Sequence, residues 1–173
     1  MATNYYLDFE NKFRGDRQTI IDRLSMYDPL IETIVKNNPS PELIDIGCGR
    51  GEWIEKWKHK FDYIWGIEAD MQMIDICRDN NLNVKEGDAI DILSNLQNET
   101  IHVITIFHMI EHLKYERLLK LLQECQRVLS NDGILIMETP NIDSLIVSTK
   151  SFYIDPTHIN LIHPDLISFN LEK

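Results

Sequence analysis

Cysteine is scarce in this chain: Cys48, Cys77 and Cys125 are the three among 173 residues. They are odd in number, far apart and without C-x-x-C spacing, so neither a zinc site nor a disulfide framework is expected. A reducing, cytoplasmic setting fits that usage. Basic residues are outnumbered too, 17 Lys and Arg against 28 Asp and Glu, for a formal net charge of −11. No Lys/Arg run occurs, which argues against non-specific binding to nucleic acid or to an anionic membrane surface. Long apolar stretches are also missing. No run approaches the 18 residues of a spanning helix, and Met1-Ala2-Thr3-Asn4-Tyr5 has no apolar signal core. No integral membrane contact is expected. What remains is a 43% hydrophobic chain of a length suited to one domain over 1–173.

Three regions follow one another. Residues 1–38 read as N-terminal helices, with Asp16 as an N-cap for a helix to about Met26 and Asp28-Pro29 restarting another. Asn37-Asn38-Pro39-Ser40-Pro41 breaks the helical pattern. Over 39–140 helices and strands alternate, which predicts a mostly parallel sheet with helices on both faces, a three-layer α/β sandwich of Rossmann-like type. Lys114 to Leu129 repeats Leu118, Leu121, Leu122 and Cys125 at helical spacing, and 128–140 reads as a helix end, a tight turn and a strand. Residues 141–173 form a segment on the substrate side.

The chemistry concentrates at Leu43-Ile44-Asp45-Ile46-Gly47-Cys48-Gly49-Arg50-Gly51. An apolar strand runs into a glycine turn and then a helix. Glycine lets a ligand approach the backbone closely, and amides at a helix start can meet a ligand's negative end. Glu68 closes the next apolar run, Tyr63-Ile64-Trp65-Gly66-Ile67, where a carboxylate can accept from ribose hydroxyls. The dinucleotide fingerprint is G-x-G-x-x-G, but Glu52 occupies the place of its last glycine. A carboxylate suits a pyrophosphate badly. The zwitterionic end of S-adenosylmethionine, which has no phosphate, fits Asp45, Arg50 and backbone amides better.

Three further elements come in order: a short strand leading to Gly87-Asp88-Ala89, a strand from Ile101 to Phe107 followed by His108-Met109-Ile110-Glu111-His112, and a strand ending at Glu138-Thr139-Pro140. Over about residues 40–140 the series resembles the class I S-adenosylmethionine-dependent methyltransferases. That resemblance implies that Asp45, Gly47, Cys48 and Gly49 border the methionine part and that Glu68 holds the ribose. Asp88 and Ala89 would border the adenine, with Phe107 and His108 under the sulfonium end. The family's sheet has seven strands, the last two a hairpin. The 33 residues after Pro140 hold no convincing strand pair, so the hairpin is expected to be missing. A truncated chain is one expectation, and a homo-oligomer covering the fifth strand's edge is another.

Two flanking motifs carry a narrower resemblance. Tyr5-Tyr6-x-x-Phe9-Glu10-x-x-Phe13-Arg14-Gly15 and Phe152-Tyr153-x-Asp155-Pro156-Thr157-His158 are similar to the methyltransferase part of bacterial O-antigen chain-terminating methyltransferase/kinases. The likeness implies an acceptor that is a small molecule or a surface-glycan end, in some members a phosphate. Tyr6, Arg14, Tyr153, Asp155 and His158 are then the candidate acceptor residues. The chain departs from that family after the second motif, where it reads Ile159-Asn160-Leu161-Ile162-His163-Pro164 instead of a proline-rich stretch.

A hydroxyl acceptor needs a general base, for which His108 and His158 are the candidates, whereas a phosphate oxygen needs cations such as Arg14 or Arg50. On a helix His108 and His112 would share a face, a spacing able to hold a metal, but a simple helix start explains them better and no metal is expected. Asp70 reads as a helix N-cap, and Trp53, Trp57, Tyr5 and Phe9 as packing residues. Three readings stay open: an enzyme methylating a glycan end, a quinone or another small metabolite; a non-catalytic module that holds the cofactor; and a nicotinamide oxidoreductase, which Glu52 disfavours.

Overall fold

The computed structural model describes residues 7, 9 and 12–172. Asp16 caps α1 (Arg17–Leu24) by accepting the Thr19 amide at 2.8 Å. A 3-10 turn over Ser25–Tyr27 leads into α2 (Asp28–Asn37), whose first turn holds Pro29, where a missing N–H leaves no bond unmade. The sheet then builds through β1 (Glu42–Ile46), α3 (Glu52–Trp57), β2 (Tyr63–Glu68), α4 (Met71–Asp79), β3 (Val84–Glu86) and α5 (Ala89–Ser94). It continues through β4 (Ile101–Phe107), a 3-10 turn at Ile110–His112, α6 (Tyr115–Val128) and β5 (Leu129–Glu138). The strand order is β3-β2-β1-β4-β5 and every pairing is parallel. The chain steps outward from β1 to β3, then returns to lay β4 on the other side of β1. That reversal opens a crevice beyond the C-terminal ends of β1 and β4, where ligands of open α/β sheets bind.

The period-2 alternation of the central strands sorts their side chains between two cores. Ile44 and Ile46 of β1, with Ile104 and Ile106 of β4, pack against Leu118, Leu121, Leu122 and Cys125 of α6. Leu43, Val103 and Phe107 point the other way, against Ile31 and Ile34 of α2 and Trp53 and Trp57 of α3. The tryptophan pair thus packs as expected, edge to face at 5.8 Å. Asp45 shares the face of Leu43, so a carboxyl group is carried into the interior by strand geometry alone.

Two details differ from the sequence reading. β5 begins directly after α6, and the anticipated tight turn is instead a bulge inside one strand. Ile101 pairs with Leu129 and Val103 with Ile134, so residues 130–133 oppose His102 alone. An edge strand tolerates such a bulge because only one of its sides is paired. Gly133 fits it because an added Cβ would stand 2.8 Å from Leu129 Cγ and 3.0 Å from the Ser130 carbonyl. His108 and His112, expected one helical turn apart, are instead separated by an irregular step: His108 precedes a 3-10 turn that His112 ends.

After β5 come α7 (Leu145–Thr149), a 3-10 turn at Ser151–Ile154 and α8 (Pro164–Leu171). Among the described residues no strand follows β5, which forms one edge of the sheet. The segment between the last turn and α8 is pinned across the crevice: the Ile159 and Asn160 amides donate to the Glu111 carbonyl at 2.9 and 3.2 Å. Among the described residues, no helix is long and apolar enough to cross a membrane.

Candidate active site

The glycine loop closes on itself. Gly47 and Cys48 donate their amides to the Ile67 carbonyl at 2.8 and 3.2 Å, and Gly51 donates to Cys48 at 2.9 Å. The Gly49 amide goes to Glu68 Oε2 at 2.9 Å. These four N–H groups of the loop are therefore committed inside the protein. Gly51 starts α3 at φ 76°, and an added Cβ there would lie 2.5 Å from Leu82 Cδ1. Glycine is the residue that meets both demands.

Glu68 is fixed by backbone amides on both sides of the crevice's lip. Its Oε1 accepts from the Ala69 and Asp70 amides at 2.8 and 2.9 Å, so the carboxylate is held rigidly at the tip of β2. Asp70 caps α4 through the Gln72 amide, as its position predicted. Asp88 caps α5 through Ile90 and is bonded by the Arg117 guanidinium. Gly47, Gly49, Glu68, Asp70, Asp88, Ala89 and Met109 line a cavity of about 280 Å³. At Gly49 an added Cβ would meet no atom within 4 Å, so this stretch of loop faces open space.

That set suits S-adenosylmethionine. The carboxylates of Glu68, Asp70 and Asp88 on its walls are acceptors of the kind that ribose hydroxyls need. Asp45 lies beneath the loop, 3% exposed, and accepts from Thr105 Oγ1 at 2.7 Å. The two are registered partners on β1 and β4. Burial pushes the Asp45 carboxyl up to about 7, against the hydrogen bond from Thr105, with Glu52 and Glu68 adding to the rise and Arg14 opposing it.

Some anticipated contacts fall elsewhere. The Cys48 side chain turns away from the cavity into a small core with Ile54, Cys77 and Leu82, beneath Gly66. Its expected ligand contact is thereby corrected: the space under β2 takes the thiol. Arg50 is 6% exposed and pairs with Glu52 at 2.8 Å while donating to the Gly15 carbonyl at 3.2 Å. It ties the N-terminal segment to the loop instead of facing the cofactor cavity. Glu52 therefore has a structural partner. Tyr153 is 68% exposed, edge-on to Phe152, and lines none of the cavities, because its 3-10 turn aims the ring outward. Tyr6 lies outside the described residues.

A second cavity, of about 300 Å³, adjoins the first. Arg14, His108 and His112 line both, so they form the wall between them. Arg23, Glu111, Glu138, Asp155 and His158 also line the second, together with apolar side chains that include Phe9, Phe13, Ile20, Leu24 and Phe107. Phe9, read as packing, lies 4.7 Å from the Phe13 ring and walls this cavity. His108 follows β4 with a left-handed φ of 54°, a conformation that costs a non-glycine residue about 1–3 kcal/mol and gathers at functional sites. Its Nδ1 is 3.5 Å from Glu111 Oε1 and its Nε2 is 3.5 Å from Glu138 Oε2. Burial lowers its proton affinity, but the two carboxylates outweigh it and raise the pKa above the usual histidine value of 6.5. His112 is shifted down, because burial, with His158 beside it, outweighs the pull of Glu111 and Asp155.

Glu138 carries no signal of a site role in the sequence. Glu138 ends β5, and its Oε1 accepts from the Tyr27 phenolic hydroxyl at 2.8 Å, a contact across 111 residues that leaves no local trace. The bond from His108, with help from Tyr27, holds the Glu138 carboxyl below the usual range. Glu111 was visible only as a member of the His-Glu-His cluster.

The model of a methyltransferase domain matches residues 44–137. None of the curated proteins matches the chain. Among solved structures, an S-adenosylmethionine-dependent methyltransferase from Archaeoglobus fulgidus is 38% identical, with a TM-score of 0.87, covering 97% of this chain and 72% of that one. A protein from Pyrococcus horikoshii is 21% identical with a TM-score of 0.66, covering 84% and 70%. An S-adenosylmethionine-dependent methyltransferase from Clostridium acetobutylicum is 20% identical with a TM-score of 0.61, covering 84% and 61%. The last two share the fold. With the family model spanning over half its length and a relative 38% identical across nearly all of it, the chain belongs to the S-adenosylmethionine-dependent methyltransferases.

Proposed function

We propose that this methyltransferase transfers the methyl group to an oxygen of a small molecule or a surface-glycan end. The observation that carries the reading is His108. It stands in the wall between the two cavities, with a carboxylate at 3.5 Å on each ring nitrogen. When bound, S-adenosylmethionine supplies an electrophilic methyl on a sulfonium. Asp45, once ionised, offers a buried counter-charge to the amino-acid end, and Arg14 faces that end's carboxylate. Glu68 holds the ribose and Asp88 with Ala89 borders the base. Phe107 closes the floor beneath the transfer point. His108 takes the hydroxyl proton of an acceptor lying in the second cavity, and its flanking carboxylates make it the stronger base. Arg14, Asp155 and His158 orient the acceptor, and alignment and exclusion of water supply most of the acceleration.

The acceptor cavity joins an apolar wall of Phe9, Phe13, Ile20, Leu24 and Phe107 to a polar one of Glu111, Glu138, Asp155 and His158, and the polar wall supports a hydroxylated acceptor. The three buried, free thiols fit a cytoplasmic setting. A partner copy along β5 would cover its edge. The test is methyl transfer from labelled cofactor to a panel of glycan ends, sugar phosphates and quinols. Transfer to a sugar hydroxyl that is lost in His108→Ala supports the reading. Transfer confined to quinols overturns it, and tight S-adenosylhomocysteine binding with no transfer to any acceptor points to a binding module.

A further inference from the structure

Glu111 carries a carboxylate oxygen that no donor answers among the described residues. The side chain is fully buried. Oε2 accepts from Thr139 Oγ1 at 3.0 Å, while Oε1 has no hydrogen-bond partner. Two imidazole nitrogens stand off from Oε1, His108 Nδ1 at 3.5 Å and His158 Nε2 at 3.9 Å. An ionised oxygen left this way inside a protein is costly unless a cation meets it.

Of the imidazoles around Glu111, those of His158 and His112 present lone pairs. His158 Nδ1 lies 2.7 Å from the Phe152 carbonyl, which only accepts, so Nδ1 bears the hydrogen and Nε2 of the neutral ring is bare. That Nε2 faces Glu111 Oε1 at 3.9 Å and Asp155 Oδ2 at 3.8 Å, too far for a hydrogen bond to either. His112 Nδ1 lies 2.9 Å from Thr157 Oγ1, whose own hydrogen goes to Asp155 Oδ1 at 2.5 Å. His112 Nδ1 therefore donates to Thr157, and its Nε2 is bare as well. Ligand-capable atoms of Glu111, His112 and His158 all lie within 4.8 Å of one another. An atom bound at about 2.1 Å to each would draw them to roughly 3.0–3.4 Å apart, a matter of small side-chain rotations.

We propose that Glu111, His112 and His158 bind a divalent transition-metal cation on the acceptor side of the active site. Two imidazoles and a carboxylate favour zinc, manganese, iron or cobalt over magnesium or calcium. The backbone carbonyl behind His158 and Thr157 behind His112 are the outer partners that orient metal-binding histidines. All three ligands line the acceptor cavity, so the remaining positions of the ion open into it. What the ion does rests on the methyl-transfer reading; whether it binds does not. It would bind an acceptor hydroxyl and lower its pKa. The oxygen's electron pair then forms the O–CH3 bond, the S–CH3 bond breaks with its pair kept on sulfur, and the hydroxyl proton passes to His108.

The probe is Co²⁺, titrated into the chelator-treated protein and followed by its visible absorption. S-adenosylhomocysteine binding is measured in parallel by calorimetry. Saturation near one equivalent is expected, with Glu111→Gln and His158→Gln each weakening Co²⁺ by at least about tenfold. His163→Gln, an exposed histidine on the cap of α8, should leave the titration unchanged. Both ligand variants should keep S-adenosylhomocysteine affinity within about twofold, which shows that they are folded. The proposal is overturned if Co²⁺ gives no saturable absorption, or if either ligand variant binds it as tightly as wild type. Co²⁺ binding without any S-adenosylhomocysteine binding would sink the cofactor reading and uphold the metal site.

Discussion

Asp45→Asn should make the protein more stable and stop it binding its cofactor. The argument begins with the strand. β1 places Asp45 on an interior face, 3% exposed, with Thr105 Oγ1 donating to it at 2.7 Å. Burial lifts its carboxyl from the ordinary 3.8 to about 7. The folded state therefore binds this proton more tightly than the unfolded chain does. The sign follows from linkage: stability from this group is complete below pH about 4 and is lost as pH rises to about 7. At about 1.4 kcal/mol per pH unit, the loss in wild type at pH 8 is about 4 kcal/mol. Asparagine still accepts from Thr105 but never ionises. The variant should match wild type at pH 4 and exceed it by up to about 4 kcal/mol at pH 8. For a chain of this size that is a rise of about 8–16 °C in melting temperature. Thermal unfolding across that pH range reads the gap, and calorimetry reads the loss of S-adenosylhomocysteine binding. Equal melting temperatures at pH 8 would refute the burial argument, and unchanged ligand affinity would refute the role as counter-charge. In wild type the same ionisation should make ligand affinity fall about tenfold per pH unit below 7.

Three further outcomes are expected. Glu68→Ala removes the carboxylate that fixes Gly49 and that the proposed function assigns to the ribose; charged hydrogen bonds of about 1.5–3 kcal/mol make its loss worth about 10–150-fold in S-adenosylhomocysteine affinity, read by calorimetric titration. Glu138→Gln takes away one of the two carboxylates that raise the His108 pKa, so the acid limb of the kcat/KM profile, above pH 6.5 in wild type, should move to lower pH while Tyr27 keeps its acceptor. Gly51→Ala forces a Cβ against Leu82 at φ 76°, and should cost about 1–3 kcal/mol in chemical denaturation and loosen the cofactor loop.

Much of the scaffold was legible because its signals are local. The period-2 runs of β1 and β4, the helical spacing from Leu118 to Cys125, and the caps at Asp16 and Asp70 each lie within a few residues of chain. Local signals also place Glu68 at a strand end beside the glycine loop. They fail where a residue's neighbour is remote. Nothing near Arg50 announces that its guanidinium will reach the Gly15 carbonyl, nor does anything near Cys48 announce the pocket under Gly66.

The sequence by itself therefore determined the α/β class, the order of elements and the cofactor, because strand alternation and glycine-acid spacing are written along the chain. The tertiary structure alone decided which titratable groups meet. Glu138 reaches Tyr27 across 111 residues, and residues 155–158 fold back onto Glu111 and His112. Parallel pairing of β1, β4 and β5 brings their C-terminal ends to one edge, and the carboxylates and imidazoles gathered there set one another's charge.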